Sequence, residues 1–365
     1  MSGTRVTICC GVGGTGKTTT SAALALAYAL AGQRVVVLTI DPARRLADAL
    51  GIGTLDNMPR RVPLEGAAGT LDALMLDRAA TWDEVVRRRA TTETAERLLE
   101  NRYYRAVSTR LTGSHEYMAV EKLHALASDG RYDHVIVDTP PTQHVVDFFR
   151  APDRVRGILD RSMLRLLIDP GTSLRGVAAR GALSIVERLA GERVMGEIRE
   201  FFSLIGEMSS GFRERSEEVA NLLRSGRTVY WLVTEADAPE RNDLLGFLGE
   251  LRERGMRFGG FLMNRVQSEV PLGMPASDVL ERALEGLPAK DAALRALYEL
   301  PERARTRAAG HARAARRLCT EGGAPVWTVP ELAGGVRSLE GLAALTPHLP
   351  PAAEPSYRSG NAAWR

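Results

Sequence analysis

The sequence predicts an α/β fold: a doubly wound, mostly parallel sheet with an inserted helical subdomain. Three observations carry that prediction. Val- and Ile-rich runs alternate with helix-periodic segments along most of the 365 residues, as strand–helix–strand crossovers require. Several runs are apolar on both faces, which suits parallel strands covered by helices on two sides. A glycine-rich turn at residues 11–19, Gly-Val-Gly-Gly-Thr-Gly-Lys-Thr-Thr, follows the first run and opens an alanine-rich helical segment.

Strands are expected at Arg5–Cys10, Arg34–Ile40, Leu71–Asp77, His134–Asp138, Thr228–Val233, Phe258–Met263 and Ala324–Val329. Between Ala151 and Ser225 the strand pattern stops, and the chain reads as helix broken by the Asp169-Pro170-Gly171 turn. A second all-helical stretch is expected from Lys290 to Leu318. The resulting division is a first part of the core at 1–150, a helical insertion at 151–225, a second part of the core at 226–346, and a disordered tail rich in Pro, Ala and Ser at 347–365.

The turn has the pattern of a phosphate loop, G-x-x-x-x-G-K-[ST], from Gly11 to Thr18. Gly11, Gly13, Gly14 and Gly16, with Thr15 between them, let successive backbone N–H groups point at one phosphate chain. The helix that starts near Lys17 adds its partial positive end. Lys17 reaches the β- and γ-phosphates, the Thr18 hydroxyl binds Mg²⁺, and Thr19 continues the first turn. The chain is therefore expected to bind a nucleoside triphosphate, and its sheet to be of the P-loop NTPase type.

Bulk composition narrows the class. Hydrophobic residues make up 44% and charged residues 25%, ordinary for a globular chain. With 48 Lys and Arg against 45 Asp and Glu, the net charge of +3 gives no reason to expect nucleic acid as a partner. Three cysteines, two of them adjacent at Cys9 and Cys10, cannot build a disulfide framework and suit a reducing compartment. The first strand begins by Arg5, before any leader pattern, and no run of about 18 apolar residues occurs. A cytoplasmic protein without permanent membrane insertion is expected.

Two carboxylates follow strands. Asp41, in Thr39-Ile40-Asp41-Pro42-Ala43, ends the second strand, where ligands of a doubly wound sheet sit. It can orient or deprotonate an attacking water, cap a helix beginning at Pro42, or do both. Asp138 ends the apolar run His134-Val-Ile-Val, where a carboxylate holds the water shell of Mg²⁺ together with Thr18.

These segments together resemble the arsenite-pump and tail-anchored-protein-targeting ATPases. The resemblance runs in order from residues 12–19 through Asp41-Pro-Ala-Arg-Arg-Leu-Ala-Asp-Ala-Leu50, Gly113-Ser-His-Glu-Tyr-Met-Ala119 and Asp138-Thr-Pro-Pro-Thr-Gln-His144. It continues through Met263-Asn-Arg265, Val329-Pro-Glu331 and Val336-Arg-Ser-Leu-Glu340. The family's first switch is D-P-A-H-S-L-like and its second D-T-A-P-T-G-H-like. The resemblance implies ATP as the nucleotide, Mg²⁺ as cofactor, and Lys17 and Asp41 as catalytic residues. It further implies Asp138 and Thr18 at the metal, and Thr139–His144 as the switch that senses the γ-phosphate. Asn264 would read the adenine edge, with the segment from Pro330 covering the base. The stretch 151–225 would face a protein or membrane-protein client. Such ATPases are dimers that close on ATP and open on hydrolysis.

Val12 stands where the family's loop carries a signature lysine that reaches the other subunit's phosphates. Valine supplies no charge there, so the resemblance implies a homodimer or a heterodimer in which hydrolysis is slow, is rescued by an arginine elsewhere, or is completed by a lysine-bearing paralogue. A zinc-clasped dimer is not expected, since no C-x-x-C occurs. Cys9, Cys10 and Cys319 read as core or surface residues, not arsenite ligands. The alternatives are an ATP-binding regulatory or scaffold subunit with little turnover, a MinD/ParA-like positioning ATPase, and a signal-recognition-type GTPase. Thr234-Glu-Ala-Asp237 would be the last one's guanine motif, with Glu235 in place of the required lysine. The segments Met163–Ile168 and Phe201–Ile205, with Met195 and Met208, either line an apolar groove or pack the helices together. The arginine runs 87–89 and 313–317 read as solvated helix faces.

Overall fold

A computed structural model describes residues 3–41, 44–105, 114–140, 192–237, 241–267, 290–332 and 334–352, together with Arg282 and Glu285. Among the described residues, eight strands form one sheet in the order β3-β4-β2-β5-β1-β6-β7-β8. The strands are β1 (Arg5–Gly11), β2 (Arg34–Thr39), β3 (Arg60–Val62), β4 (Thr70–Met75), β5 (His134–Asp138), β6 (Thr228–Glu235), β7 (Phe258–Val266) and β8 (Val326–Pro330). Every pairing is parallel except that of the edge strand β3 with β4.

The helices are α1 (Lys17–Leu30), α2 (Arg45–Leu50), α3 (Arg78–Arg89), α4 (Thr92–Glu100), α5 (Ser114–Ser128), α6 (Glu192–Arg224), α7 (Arg241–Glu253), α8 (Lys290–Gly322) and α9 (Leu339–Leu345). Two buried apolar clusters lie on opposite faces of the sheet, because alternate strand residues point to opposite sides. One gathers Ile8, Leu38, Val137 and Leu232 with Val86, Met118, Leu204 and Leu248 from the α3, α5, α6 and α7 side. The other gathers Cys9, Val37, Ile136 and Val233 with Leu24, Leu46 and Leu342 from α1, α2 and α9. The three-layer arrangement explains why the central strands are apolar on both faces. It also explains the alanines of α1, which is held between the sheet, α2 and α9.

All seven expected strands are present, with ends displaced by a few residues. The eighth, β3, is a three-residue strand carrying two arginines, and such a segment has no apolar period to read. The strands β6 and β7 run on to Glu235 and Val266, past the apolar core, through residues whose backbone still pairs in the sheet. The second helical stretch continues to Gly322 and carries Pro301 inside it.

Of the expected helical insertion, α6 is one helix of 33 residues, and residues 151–191 lie outside the described residues. Residues 346–348 form a 3-10 turn, Leu349 is buried with the α1 cluster, and the Ala352 carbonyl accepts from Arg5 at 3.0 Å. The packed chain thus extends past the expected boundary at 347, and residues 353–365 lie outside the described residues. Among the described residues, no helix is long and apolar enough to cross a membrane.

Candidate functional site at the carboxyl ends of the central strands

The parallel register places the ends of β1, β2 and β5 side by side. Cys9 and Thr39 both pair with Asp138, so the loop after β1 and the residues after β2 meet at the same level. This is the crevice in which open α/β sheets bind ligands.

The loop from Gly11 to Gly16 leaves β1 through glycines that the geometry requires. A Cβ on Gly11 would collide with the Val233 carbonyl oxygen of the neighbouring strand. Gly16 has φ 86°, and a Cβ there would collide with the Asn264 amide nitrogen. Gly13 and Gly14 are exposed at the loop tip. The loop is tied to itself and to β7. The Thr15 hydroxyl and the Lys17 ammonium both donate to the Val12 carbonyl at 2.9 Å. Asn264, which is buried, donates from its side-chain amide to the Thr15 carbonyl at 3.0 Å.

α1 begins at Lys17, directly after the loop, so its first N–H groups face the crevice. Lys17 is 8% exposed. Burial lowers its proton affinity, while Asp138, Cys10 and Asp41 act to raise it and Arg45 acts with burial. Those charges place both aspartates and Arg45 within electrostatic reach of the ammonium. Thr18 and Thr19 are half-buried on the first turn.

Asp138 is fully buried. Burial pushes its carboxyl up to about 6, against the hydroxyls of Thr18 and Thr39 and the charge of Lys17. Thr39 donates to Oδ2 at 2.9 Å, whereas among the described residues Oδ1 has no direct hydrogen-bond partner. A buried carboxylate oxygen left in that way is unusual and fits a hydrated cation held between it and the Thr18 hydroxyl. The donor set, hydroxyl and carboxylate oxygen, is the one Mg²⁺ prefers.

Asp41 is half-buried just past β2. The helix after it starts at Arg45, and its first backbone bond closes on the Arg44 carbonyl at 3.0 Å. Arg44, three residues on, is the N-cap, which corrects the capping alternative for Asp41. Pro42, Ala43 and the second-switch residues 141–144 lie outside the described residues, while Thr139 donates its hydroxyl to the Cys9 carbonyl at 2.7 Å.

Pro330 ends β8 beside the end of β7, where the Glu331 N–H donates to the Val266 carbonyl at 3.0 Å. It therefore shares the crevice end of the sheet with Asn264. A charged cluster that sequence reasoning missed lies close by. Arg307 of α8 bridges Asp237 at 3.1 Å and Glu331 at 3.0 Å. His311, 2% exposed, accepts the Gln267 N–H on Nδ1 and donates from Nε2 to Asp237, both at 2.9 Å. Asp237 is thereby committed to α8, and Glu235 pairs with Arg265 at 2.6 Å. The two acids of the supposed guanine motif are occupied in holding strand ends.

Cys9 and Cys10 are fully buried, and burial raises both thiols, Cys9 to about 12, so neither offers a thiolate at neutral pH. Among the described residues no group of three or more His, Cys, Asp or Glu side chains could hold a metal by themselves. Phe201, Leu204, Ile205 and Met208 are buried in the core cluster, which supports packing for that stripe. The arginines Arg87–Arg89, Arg313, Arg316 and Arg317 are exposed. The segment Met163–Ile168 and the Met195 side chain lie outside the described residues.

Comparison with known proteins agrees with this geometry. The family model described as anion-transporting ATPase matches residues 4–210. The chain is 28% identical over 277 residues to Protein Rv2184c of Mycobacterium tuberculosis, covering 72% of this chain and 59% of that protein. It is 25% identical over 214 residues to the ATPase GET3 of Malassezia globosa, covering 57% of this chain and 60% of the relative. The arsenical pump-driving ATPase of Acidiphilium multivorum is 31% identical over 148 residues, 39% of this chain and 24% of that protein. The match thus spans less than two-thirds of each of these relatives. The matched residues 4–210 contain the glycine loop, Asp41 and Asp138, and the chain belongs to the anion-transporting ATPase family.

Proposed function

We propose that the chain is an ATP-binding and hydrolysing switch that couples ATP hydrolysis to a conformational change acting on a protein or membrane-protein client. The observation that carries this reading is the buried Asp138 carboxylate, half satisfied, beside Thr18 and Lys17 at the end of the glycine loop. The loop N–H groups, from Gly11 through Gly16, hold the phosphate chain, and Lys17 binds the β- and γ-phosphates. Thr18 and Asp138 hold Mg²⁺ and its water shell; when bound, the cation neutralises charge developing between those phosphates. Asp41 orients the attacking water and accepts its proton.

Asn264, with one donor on Thr15, turns its remaining amide hydrogen and its carbonyl to the adenine edge, and the segment from Pro330 covers the base. Thr139–His144 senses the γ-phosphate. Two copies, or this chain and a lysine-bearing paralogue, close on ATP and open on hydrolysis. The region 151–225 is the client-facing insertion in a core formed by 1–150 and 226–346. These roles are supported by family membership and by relatives named as ATPase GET3 and arsenical pump-driving ATPase.

The test compares Mg²⁺-dependent ATP turnover of the purified protein with that of Lys17→Ala. Turnover that depends on Lys17 supports an enzyme. Equal rates, with ATP still bound by the unaltered protein, leave a nucleotide-binding regulatory subunit. Asp41→Asn held in ATP is then used to capture the client, which mass spectrometry identifies.

A further inference from the structure

A cavity of about 660 Å³ lies between α3, α5 and α6, beside the chain that enters β3. None of its lining residues is among those gathered at the carboxyl ends of the strands. Arg88 and Arg89 are in the last turn of α3, and Arg131 is in the turn that leads to the amino end of β5, whereas Asp138 closes the other end of that strand. The volume is within the range of small-molecule sites.

Five cations line the cavity, Arg88, Arg89, Lys122, Arg131 and Arg215, against two acids, Glu84 and Asp129. Lys122 and Arg215 are buried and fixed by their partners. The Lys122 ammonium donates to both carboxylate oxygens of Glu84, at 3.0 and 2.9 Å. Arg215 donates through Nε to Glu121 at 3.1 Å and through Nη1 to Glu218 at 2.9 Å; among the described residues its Nη2 makes no bond. Arg131 pairs with Asp129 at 2.6 Å. These three cations thus engage all four acids. Arg88 and Arg89 are exposed, and among the described residues neither has a hydrogen bond or ion pair. Arg89 is within electrostatic reach of Glu218 without pairing with it.

The helix dipole favours basic residues at the end of α3. It does not account for the buried cations on α5 and α6, whose removal from water is costly even when they are paired. The nearby His124 responds to this charge: burial, then Arg215, with Arg89 behind it, hold the ring at about 4 against the pull of Glu218. The remaining wall is largely apolar and includes Met58, Pro59 and Leu126.

We infer that this cavity binds a phosphate monoester carried on an apolar body. Arg88, Arg89 and the unpaired Nη2 of Arg215 hold the phosphate, and the body rests on Met58, Pro59 and Leu126. A phosphate monoester carries a charge of about −1.5 to −2 at pH 7, which suits two unpaired arginines. The planar guanidinium fork holds two oxygens of one phosphate and does not lose its charge.

The test titrates 1-naphthyl phosphate into the full chain with Mg·ADP in excess, so that the phosphate loop is occupied. Inorganic phosphate and uncharged 1-naphthol serve as partial ligands. Phosphatidylcholine vesicles with and without phosphatidate present the same chemistry as a lipid headgroup. The double change Arg88→Ala with Arg89→Ala alters exposed side chains only, and thermal melting checks its fold; Arg88→Gln with Arg89→Gln replaces it if the alanine pair fails to fold. The unaltered protein is expected to bind 1-naphthyl phosphate at least about tenfold more tightly than either partial ligand. Either neutral pair should weaken that binding by about tenfold or more. Arg87→Ala, adjacent in sequence but outside the lining, and Lys17→Ala should each stay within about twofold. Binding confined to phosphatidate vesicles, and lost in the neutral pairs, supports the site and identifies its monoester as a lipid headgroup. Absence of saturable binding in both forms overturns the proposal, as does affinity within about twofold for the neutral pairs. A probe lost with Lys17→Ala and kept by the neutral pairs belongs to the phosphate loop and overturns it equally.

Discussion

Asn264 and Thr15 stand 249 positions apart in sequence, and the side-chain amide of the first donates to the backbone carbonyl of the second at 3.0 Å. The bond ties the end of β7 to the phosphate loop after β1, across the intervening strand β6. The residue after Asn264, Arg265, has φ 54°, an uncommon conformation for a residue with a side chain. There the pairing of β7 with β8 shifts register between Met263 and Val266. The irregular strand end and the clamp occur together, as strain and function commonly do.

Removing the clamp is therefore expected to loosen the loop before it unfolds the protein. Asn264→Ala leaves the Thr15 carbonyl without its partner, a loss of about 1–3 kcal/mol. It also gives up the pre-organisation of the loop, so triphosphate affinity should fall by roughly tenfold. Gly16→Ala should be worse, since its Cβ would collide with the same amide and alanine would sit at φ 86°. Calorimetric titration with Mg·ATP checks the order, and an Asn264→Ala protein that binds as tightly as the original would remove the clamp from the account.

A second clasp works at the outer strand ends, where His311 and Arg307 of α8 share Asp237. Their contributions to stability should differ. The Arg307 pairs lie on the surface, with the arginine side chain 43% exposed, and Arg307→Ala should cost less than about 1 kcal/mol. His311 is buried and accepts the Gln267 N–H. Its loss leaves that donor without the ring nitrogen and opens a cavity, so His311→Ala should cost about 2–4 kcal/mol. Denaturant unfolding measures both; equal losses would mean that the histidine bonds carry no more than the surface pairs.

Much of this arrangement was legible in the sequence because the signals are local. The glycine loop, Asp41 and Asp138 each follow an apolar run, and a parallel sheet brings the ends of such runs to one edge. What escaped depends on register or on distant partners. That Thr39 hydrogen-bonds Asp138 follows only once β2 and β5 are adjacent and in step. The Arg307–Asp237–Glu331 bridge joins α8 to the ends of β6 and β8, and single charged residues in a long arginine-rich helix give no sign of it. The Asp41 capping alternative failed because Asp-Pro looks like a helix start, while the first helical turn closes on Arg44 instead.

Acid sensitivity should centre partly on His134. Its ring is buried beside Tyr28 and bonded through Nε2 to Thr7 at 2.8 Å. Burial, helped by the charge of Arg5, holds its pKa down at about 3. The unfolded imidazole titrates near about 6.5, so below that pH the unfolded chain binds a proton that the native ring refuses. The stability tied to the neutral ring is present above about pH 6.5 and is lost as pH falls toward 3, by roughly 2 kcal/mol at pH 5. His134→Gln cannot ionise and retains a partner for Thr7. Its stability should fall less than the original's between pH 7 and 5, by that amount; parallel profiles would assign the acid sensitivity to other groups.

Asp138 should show the opposite sign. A carboxyl held at about 6 by burial keeps its proton where the unfolded aspartate, near about 3.9, has released it. Native stability linked to this group is greatest below about pH 3.9 and declines as pH rises to 6, leaving a cost of about 3 kcal/mol at pH 7. Asp138→Asn removes the ionisation and keeps an oxygen for the Thr39 hydroxyl. Its new N–H₂ takes the position of the unpartnered Oδ1, which offsets part of the gain. In nucleotide-free protein at pH 7 the variant should be more stable by about 1–2 kcal/mol, with a smaller advantage at pH 5. The same change withdraws the carboxylate proposed to hold the Mg²⁺ water shell, so the extra thermal stabilisation of Mg·ATP over ATP with EDTA should vanish in Asp138→Asn. Melting curves at both pH values, with and without Mg²⁺, measure both effects. A variant that melts lower at pH 7 without nucleotide would deny the stored cost, and one that keeps the Mg²⁺ increment would move the metal away from Asp138.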